Sequence, residues 1–428
     1  MFMRSCLLFC CLFITGLNVT AQPAFVKDSL SRYIQRALAD WQVPGVAVGI
    51  VKNGNLVVAK GYGLREWGKP DLVDAATLFM IGSNTKAFTG TALALLEHEG
   101  KCKLTDPVKK YLPQFSMKDP WLTEHVNLQD IVSHRMGLET FQGDFMYWTS
   151  NLTSDQVIEK FGKLEPLYAF RTKWGYTNAG FVVAGKVIEN LSGQSWAAYL
   201  QQRIFQPLGM YRTLALSTEL PQASNRASAH TLVDGVLTAI PYADIDNLAP
   251  AGSISSSIID MSHWVGALLE GGRYAGKEIL PPAVISRTRE PLSIEGRRAS
   301  TSWGVRRHYA LYGMGWELSD YDGRELVSHT GGVNGFVTAV TLVPEENLGI
   351  IVLTNTDQNG LYVALMRQIL DAYLGLPYHD YSGSILKNFK QGQAAEADQY
   401  QAFKDTIAAN PATALPLKAY AGNYRNDV

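Results

Sequence analysis

Strand signals stand at both ends of this chain, and that distribution restricts the fold more than any other feature of the sequence. Near the N-terminus, "VPGVAVGIVKNGNLVVAKGYG" (residues 43–63) is two apolar runs around Lys52-Asn53-Gly54-Asn55. Asn-Gly between β-branched runs is the strongest short hairpin signal, because a two-residue turn of the right twist needs positive φ at both central positions. An amphipathic helix over residues 24–40 precedes it, with Phe25, Leu30, Ile34 and Leu38 at helical spacing. Near the other end, "ELVSHTGG", "GFVTAVTLVPEE" and "LGIIVLTN" are three strand-like runs separated by Gly and Pro-Glu-Glu-Asn turns. A helical pattern at about 360–374 follows and closes on Gly375. Five strands and their flanking helices predict one layered α/β unit whose antiparallel sheet draws on both ends of the domain. Residues 75–320, which read as mostly helical, are then a helical insertion.

The 428 residues are ample for a large core, and a net charge of −1 gives no electrostatic case for nucleic acid or an anionic membrane as partner. The N-terminus has the layout of a secretory signal peptide over residues 1–21: a short basic start, the apolar run Leu7 to Val19, and small or short residues at Val19 and Ala21. That run is too short to span a bilayer comfortably, so export with cleavage after Ala21 is the expectation and an uncleaved anchor the alternative. Export predicts a secreted or periplasmic protein. Cys6, Cys10 and Cys11 leave with the signal, and Cys102 alone can form no internal disulfide. The hydrolytic unit is expected over residues 22–378, a linker with one helix over 379–417, and the opening of a further C-terminal β module over 418–428.

Chemistry concentrates in three short motifs. Ser83-Asn84-Thr85-Lys86 opens the apolar helical run "TKAFTGTALALLEHEG". Three residues along a helix bring Lys86 under Ser83 on one face, and a helix N-terminus offers free N–H groups to a developing oxyanion. The plain alternative is a capping serine, since Ser is a leading N-cap residue. Tyr176-Thr177-Asn178 directly precedes another apolar-periodic run; two residues apart in an extended loop, the tyrosine and the amide can face one cavity, or the tyrosine can simply pack on the core. His329-Thr330-Gly331-Gly332 ends a strand-like run, where glycines let a substrate backbone approach an edge strand closely, or merely make a turn. Decoys exist at Ser384–Lys387 and Tyr424–Asn426, but neither has a Thr-Gly partner after it. The histidines show no metal-ligand spacing, no Gly-rich phosphate loop is present, and no Gly-x-Ser-x-Gly elbow argues for an α/β-hydrolase. No cofactor is expected. His134 in "SHRMGL" reads as a structural loop residue, and the aromatic stretch "FQGDFMYW", which contains Gln142, is a candidate pocket wall.

In that order, Ser-x-x-Lys, Tyr-x-Asn and His-Thr-Gly resemble the penicillin-recognising serine hydrolases: class C β-lactamases, D-alanyl-D-alanine carboxypeptidases, D-aminopeptidases and related esterases. "IGSNTKAFTGTALALLEHEGKCKLTDPVKKYLP", "DIVSHRMGL", "KWGYTNAGFVVAG", "LAPAGSISSSIIDMSHWV" and "SHTGGVNGF" extend the resemblance over about residues 24–375. It implies a β-lactamase/transpeptidase-like sandwich in which Ser83 is the acyl-accepting nucleophile, Lys86 and Tyr176 activate it and pass its proton to the leaving group, and Asn178 orients Lys86 and the substrate carbonyl. The backbone N–H groups of Ser83 and Gly332 would form the oxyanion hole, with Thr330 and Gly331 beside them. His329 stands where β-lactamases usually carry lysine. A histidine is mostly uncharged near neutrality and would hold a substrate carboxylate only when protonated, so the resemblance implies an esterase or D-amino-acid peptidase rather than a β-lactamase or D-Ala-D-Ala carboxypeptidase. A small molecule or peptide is the substrate class. The alternative of another kind is a non-catalytic binder of cell-wall fragments.

Overall fold

The computed structural model describes residues 22–297, 304–409 and 411–424, so the expected signal segment 1–21 lies outside the described residues. The predicted hairpin is formed by β1 (Gly45–Lys52) and β2 (Asn55–Gly63), and Asn53 and Gly54 both have positive φ, +51° and +72°, as such a turn requires. Further along the chain come β3 (Ser293–Arg297), β4 (Tyr309–Tyr312), β5 (Glu317–Tyr321), β6 (Arg324–Val333), β7 (Phe336–Val343) and β8 (Leu348–Thr354). All eight join one sheet in the order β2-β1-β8-β7-β6-β5-β4-β3, every pairing antiparallel. The chain's two ends meet at β1 and β8, with Val46 opposite Thr354 and Lys52 opposite Leu348.

Reading 75–320 as mostly helical missed β3, β4 and β5. These strands are four or five residues long and carry polar or glycine positions such as Gly296, Ser319 and Asp320, so no run is long enough for a period-2 pattern to declare itself.

Central strands are buried on both faces, which is why they read as continuous apolar runs. Val46, Val48 and Ile50 of β1, with Ile350 and Val352 of β8, face α1 (Leu30–Trp41) and a later helix, Leu361–Leu374, through Leu30, Ile34, Leu361 and Leu365. Ala47 and Val51, with Ile351 and Leu353, face the large helical core on the other side. A π-helical turn, Phe25–Ser29, leads into α1.

That helical layer is what positions the site. Its central rod is α2 (Thr85–His98), every residue of which from Thr85 to Leu96 is buried. It is packed by α4 (Asn178–Ser192), which follows a short helix α3 (Asp144–Tyr147) in the chain, and by the turn-like α5 (Ala249–Gly252), while Trp264 of α6 (Ile258–Leu269) stacks on its Phe88. The helix Leu361–Leu374 is then α7. Within residues 379–417, Tyr381–Ala408 is one helix, α8, capped by Asp380, whose carboxylate accepts the Gly383 N–H. Residues 418–424 hold the end of a 3-10 turn, Leu417–Tyr420, and no strand; 425–428 lie outside the described residues. No described helix is long and apolar enough to cross a membrane.

Candidate active site

Ser83 lies in a 3-10 turn, Gly82–Asn84, that runs straight into α2. It is not a capping serine: the residue at the N-cap is Asn84, and neither turn nor helix has a side-chain cap. The Ser83 hydroxyl instead accepts from Lys86 Nζ at 3.0 Å. Lys86 is fully buried and donates all three of its protons, the others going to Asn178 Oδ1 at 2.7 Å and to the Ala251 carbonyl at 2.9 Å. Burial pushes its ammonium down from the ordinary 10.5 to about 7, against a smaller upward pull from the Asp144 carboxylate. A lysine near 7 is in large part a neutral amine at physiological pH, which is the form that can take a proton from a serine.

Tyr176 stacks beside this pair, its ring centre 4.7 Å from Lys86 Nζ. Burial holds its phenol above the usual range, while its interaction with the Ser83 hydroxyl pulls the other way. Asn178 is the first residue of α4, so the Tyr-x-Asn spacing puts the tyrosine on the loop and the amide on the helix mouth, both toward Lys86.

β6 brings the third motif. It is an interior strand, not the edge strand expected from its glycines. Its pairing with β5 ends at Ser328 opposite Glu317, however, so His329 to Val333 outrun that neighbour and expose backbone on one side. The glycines serve an approach to the nucleophile: a Cβ on Gly331 would lie 1.8 Å from the Ile81 carbonyl oxygen, and one on Gly82, at φ +53°, would lie 2.7 Å from Gly332 N. Gly331→Ala is therefore expected to force β6 away from the Ser83 turn, lowering the midpoint of thermal unfolding by an amount equivalent to about 1–3 kcal/mol and slowing acylation with it; an unchanged melting curve and rate would count against this packing.

His329 is buried, and both ring nitrogens are engaged. Nδ1 lies 2.6 Å from the Thr330 carbonyl, which only accepts, so Nδ1 carries the proton and Nε2 accepts from the Tyr312 hydroxyl at 2.9 Å. Burial, reinforced by Lys86, drives its pKa to about 3. Against a histidine that turns cationic to grip a substrate carboxylate, this burial and these two contacts favour a neutral imidazole fixed in the cleft wall. Lys86 and Asp144 change charge beside the cleft between about pH 5 and pH 8 and His329 does not, so His329→Asn should leave the pH dependence of the anionic-to-neutral ester acylation ratio as it is in wild type. A gain for the anionic ester at the acid end that wild type shows and His329→Asn lacks would show that His329 does titrate.

His134, read as a structural loop residue, packs against this wall. It sits in the left-handed region at φ +60°, with ring centres 4.4 Å from Tyr176 and 4.7 Å from Tyr312, and its Nδ1 accepts the Thr177 N–H. Its loop is pinned by Arg135 and Arg171, both paired with buried Asp130. Gln142 turns away to the Glu139 N–H and the Glu165 carbonyl. Two residues packed into the site escaped the sequence reading. Asp144, in the same aromatic stretch as Gln142, accepts both the backbone and the side-chain N–H of Asn178. Tyr312 sits in a short strand with no motif to mark it. The Gly-Asp pair in "FQGDFMYW" was the available signal for Asp144, because a glycine–acid turn beside aromatics is an unusual thing to bury.

These groups line one cleft of about 650 Å³ that holds Ser83, Tyr176, Asn178, His329, Thr330 and Gly332. Its rim is aromatic, with Phe141 and Phe145 exposed and Trp148 bonded across the mouth to Asn334 at 2.7 Å. A second cavity, of about 560 Å³ beside the Asn53-Gly54 turn, contains none of the motif residues.

A two-ended antiparallel sheet, an inserted helical layer and a serine–lysine pair at the head of its central helix define a serine hydrolase of the penicillin-binding-protein type. The chain belongs to the beta-lactamase family, whose sequence pattern matches residues 30–375. It is 28% identical over 422 residues to unguisins hydrolase ungD' of Aspergillus campestris, covering 93% of this chain and 76% of that protein. It is 27% identical over 382 residues to protein flp of Staphylococcus aureus, covering 85% and 70%. The fold superposes on an octameric penicillin-binding protein homologue from Pyrococcus abyssi with a TM-score of 0.67 and 25% identity, over 81% of this chain and 77% of the other. A D-stereospecific amidohydrolase from Streptomyces shares the fold at a TM-score of 0.63 and 21% identity, over 80% and 97%.

Proposed function

We propose that this hydrolase works through an acyl-enzyme on Ser83, cleaving an ester or amide of a small molecule or peptide that it does not hold by a carboxylate. The observation that carries the reading is the buried Lys86 amine, 3.0 Å from Ser83 Oγ with a pKa near 7. Ser83 Oγ attacks the substrate carbonyl carbon as its proton passes to Lys86 Nζ. The oxyanion is met by the backbone N–H groups of Ser83 and Gly332. The Tyr176 hydroxyl relays the proton to the departing oxygen or nitrogen, the C–O or C–N bond breaks, and water then releases the acid by the reverse route. Asn178 orients Lys86 and the substrate carbonyl, while Thr330 and Gly331 offer backbone to an extended substrate.

The substrate's charge is argued from the wall. No lysine or arginine is among the described cleft-lining residues, His329 is neutral, and the carboxyl groups there are Asp144, Glu317 and Asp357. A β-lactam or a C-terminal peptide carboxylate finds no fixed cation, whereas an apolar acyl group meets the aromatic rim. The name of the Streptomyces neighbour, an amidohydrolase, fits this reading, as does that of the fungal relative, a hydrolase. Export to the cell exterior or periplasm belongs to the same proposal and rests on the N-terminal sequence. Labelling with a fluorophosphonate and mapping the modified peptide tests the nucleophile; turnover of p-nitrophenyl esters, D-aminoacyl amides and nitrocefin, run side by side, tests the substrate class. Nitrocefin turned over fastest would make the protein a β-lactamase. No label on any serine would favour a non-catalytic binder.

A further inference from the structure

Asp144 is nearly fully buried at the cleft floor, yet nothing in the acyl-transfer steps uses it. Its place is set by the turn before it. Gly143 leads into α3 at φ +81°, a left-handed conformation that favours glycine. The carboxylate then meets the mouth of α4. Thr177, at the N-cap, makes no side-chain cap, and Asp144 Oδ2 takes that part from a distant stretch of chain, accepting the Asn178 N–H at 2.8 Å. The same oxygen accepts Asn178 Nδ2 at 3.0 Å. An amide whose nitrogen is tied to a carboxylate must present its oxygen the other way, and that oxygen receives the Lys86 proton at 2.7 Å.

We propose that Asp144 is a positioning residue: by holding the Asn178 side-chain nitrogen it fixes which end of the amide faces Lys86, and so aims the lysine amine at Ser83. The chain of contacts runs Asp144, Asn178, Lys86, Ser83 without a gap. Were Asn178 to flip, its NH2 would repel the ammonium's donors or, with the neutral amine, occupy the lone pair that must take the serine proton, and the aim would be lost. The carboxylate also acts on Lys86 through space, raising its pKa against the burial that lowers it. The other groups around Lys86 are the Ser83 hydroxyl ahead of α2, the Tyr176 and Phe181 rings, the Ala251 carbonyl of α5, and, more distantly, His329 of β6 and His134, both held neutral by burial. Asp144 is the charged acid acting on Lys86.

The inference rests on the acyl-enzyme reading, and its test is built to fail separately. Asp144→Asn keeps an oxygen that can accept from Asn178 but removes the charge; the acid limb of the kcat/KM profile should move down by roughly one pH unit, with the melting temperature nearly unchanged. Asp144→Leu removes the acceptor too, and on the alkaline plateau, where the lysine is neutral in both proteins, kcat/KM should fall by about 10²-fold. In an Asn178→Ala background the same change should cost less than about threefold, because the amide it orients is gone. A cap that only steadies α4 would lower the melting temperature, leave the acid limb in place and cost the full 10²-fold in both backgrounds; any of the last two results overturns the proposal. Should Asp144→Leu fail to fold, Asp144→Asn decides alone. The Lys86 titration followed by NMR on lysine-labelled protein needs no substrate: a wild type that hydrolyses nothing sinks the acyl-enzyme reading, while a Lys86 pKa unmoved by Asp144→Asn sinks this one.

Discussion

Replacing Ser83 with alanine is expected to abolish fluorophosphonate labelling and to lower hydrolysis by about 10⁴-fold or more, since a nucleophile acts as a unit with its base. The fold should survive. Ser83 caps no helix, so the variant loses the hydroxyl's hydrogen bonds with Lys86 and Tyr176 and little else, at a cost on the order of 2 kcal/mol. The small residue still fits the turn between Gly82 and Asn84, and the packing of Gly82 on Gly332 is untouched. Mass spectrometry of the labelled variant and a thermal melt read the two halves of this expectation together. Residual label would move the nucleophile elsewhere, and Ser384, which lies on α8 outside the cleft, is the first residue to examine.

Lys86→Met should have the second largest effect, and it separates activity from stability. Acylation should fall by about 10³-fold or more, as no neighbouring base remains to take the serine proton. Stability should go the other way. Folding lowers the Lys86 pKa from 10.5 to about 7, so between those values the unfolded chain binds more protons than the folded one. Stability attributable to this residue therefore rises with pH across that window; below about 7 both states are charged and the full penalty of burying the cation applies, and above 10.5 both are neutral and it vanishes. At about 1.4 kcal/mol per pH unit the span is on the order of 4–5 kcal/mol. Asp144 opposes this only at lower pH: burial raises it to about 6 from 3.8, so its contribution falls between those values and is flat above them. Wild type should thus gain stability from pH 7 to pH 9.5 relative to Lys86→Met, whose neutral thioether feels no such change, and urea unfolding of the two proteins at both pH values measures the difference. Parallel shifts in the two would mean that burial does not lower the Lys86 pKa and that the lysine stays charged in the folded protein up to about pH 9.5. Hydrolysis by wild type should climb through about pH 7 for the same reason, as the amine becomes the base.

The local devices of this fold were legible in the amino acids alone. Asn53-Gly54 dictates its turn, because few other pairs tolerate positive φ at two successive positions. The continuous apolar runs of β1 and β8 announce strands covered on both faces, and Ser83 and Lys86 are held one turn apart by helix geometry whatever the rest of the chain does. Tertiary structure decided the remainder. β3, β4 and β5 exist because β6 offers them a ladder to extend, not because their own residues demand extension. His329 looked like a switchable cation on its ordinary pKa, and only the depth of burial, with Tyr312 and Thr330 on its two nitrogens, makes it a neutral wall. Lys86 became a base in the same way: sequence spacing set it beside Ser83, but the dry core that brings it to about 7 comes from everything packed around it, and the Asn178 and Ala251 oxygens that hold it in place come from α4 and α5, which lie far from it along the chain. Spacing along a helix is a property of covalent geometry and can be read locally; desolvation is a property of everything packed around a group and exists only once the chain has folded.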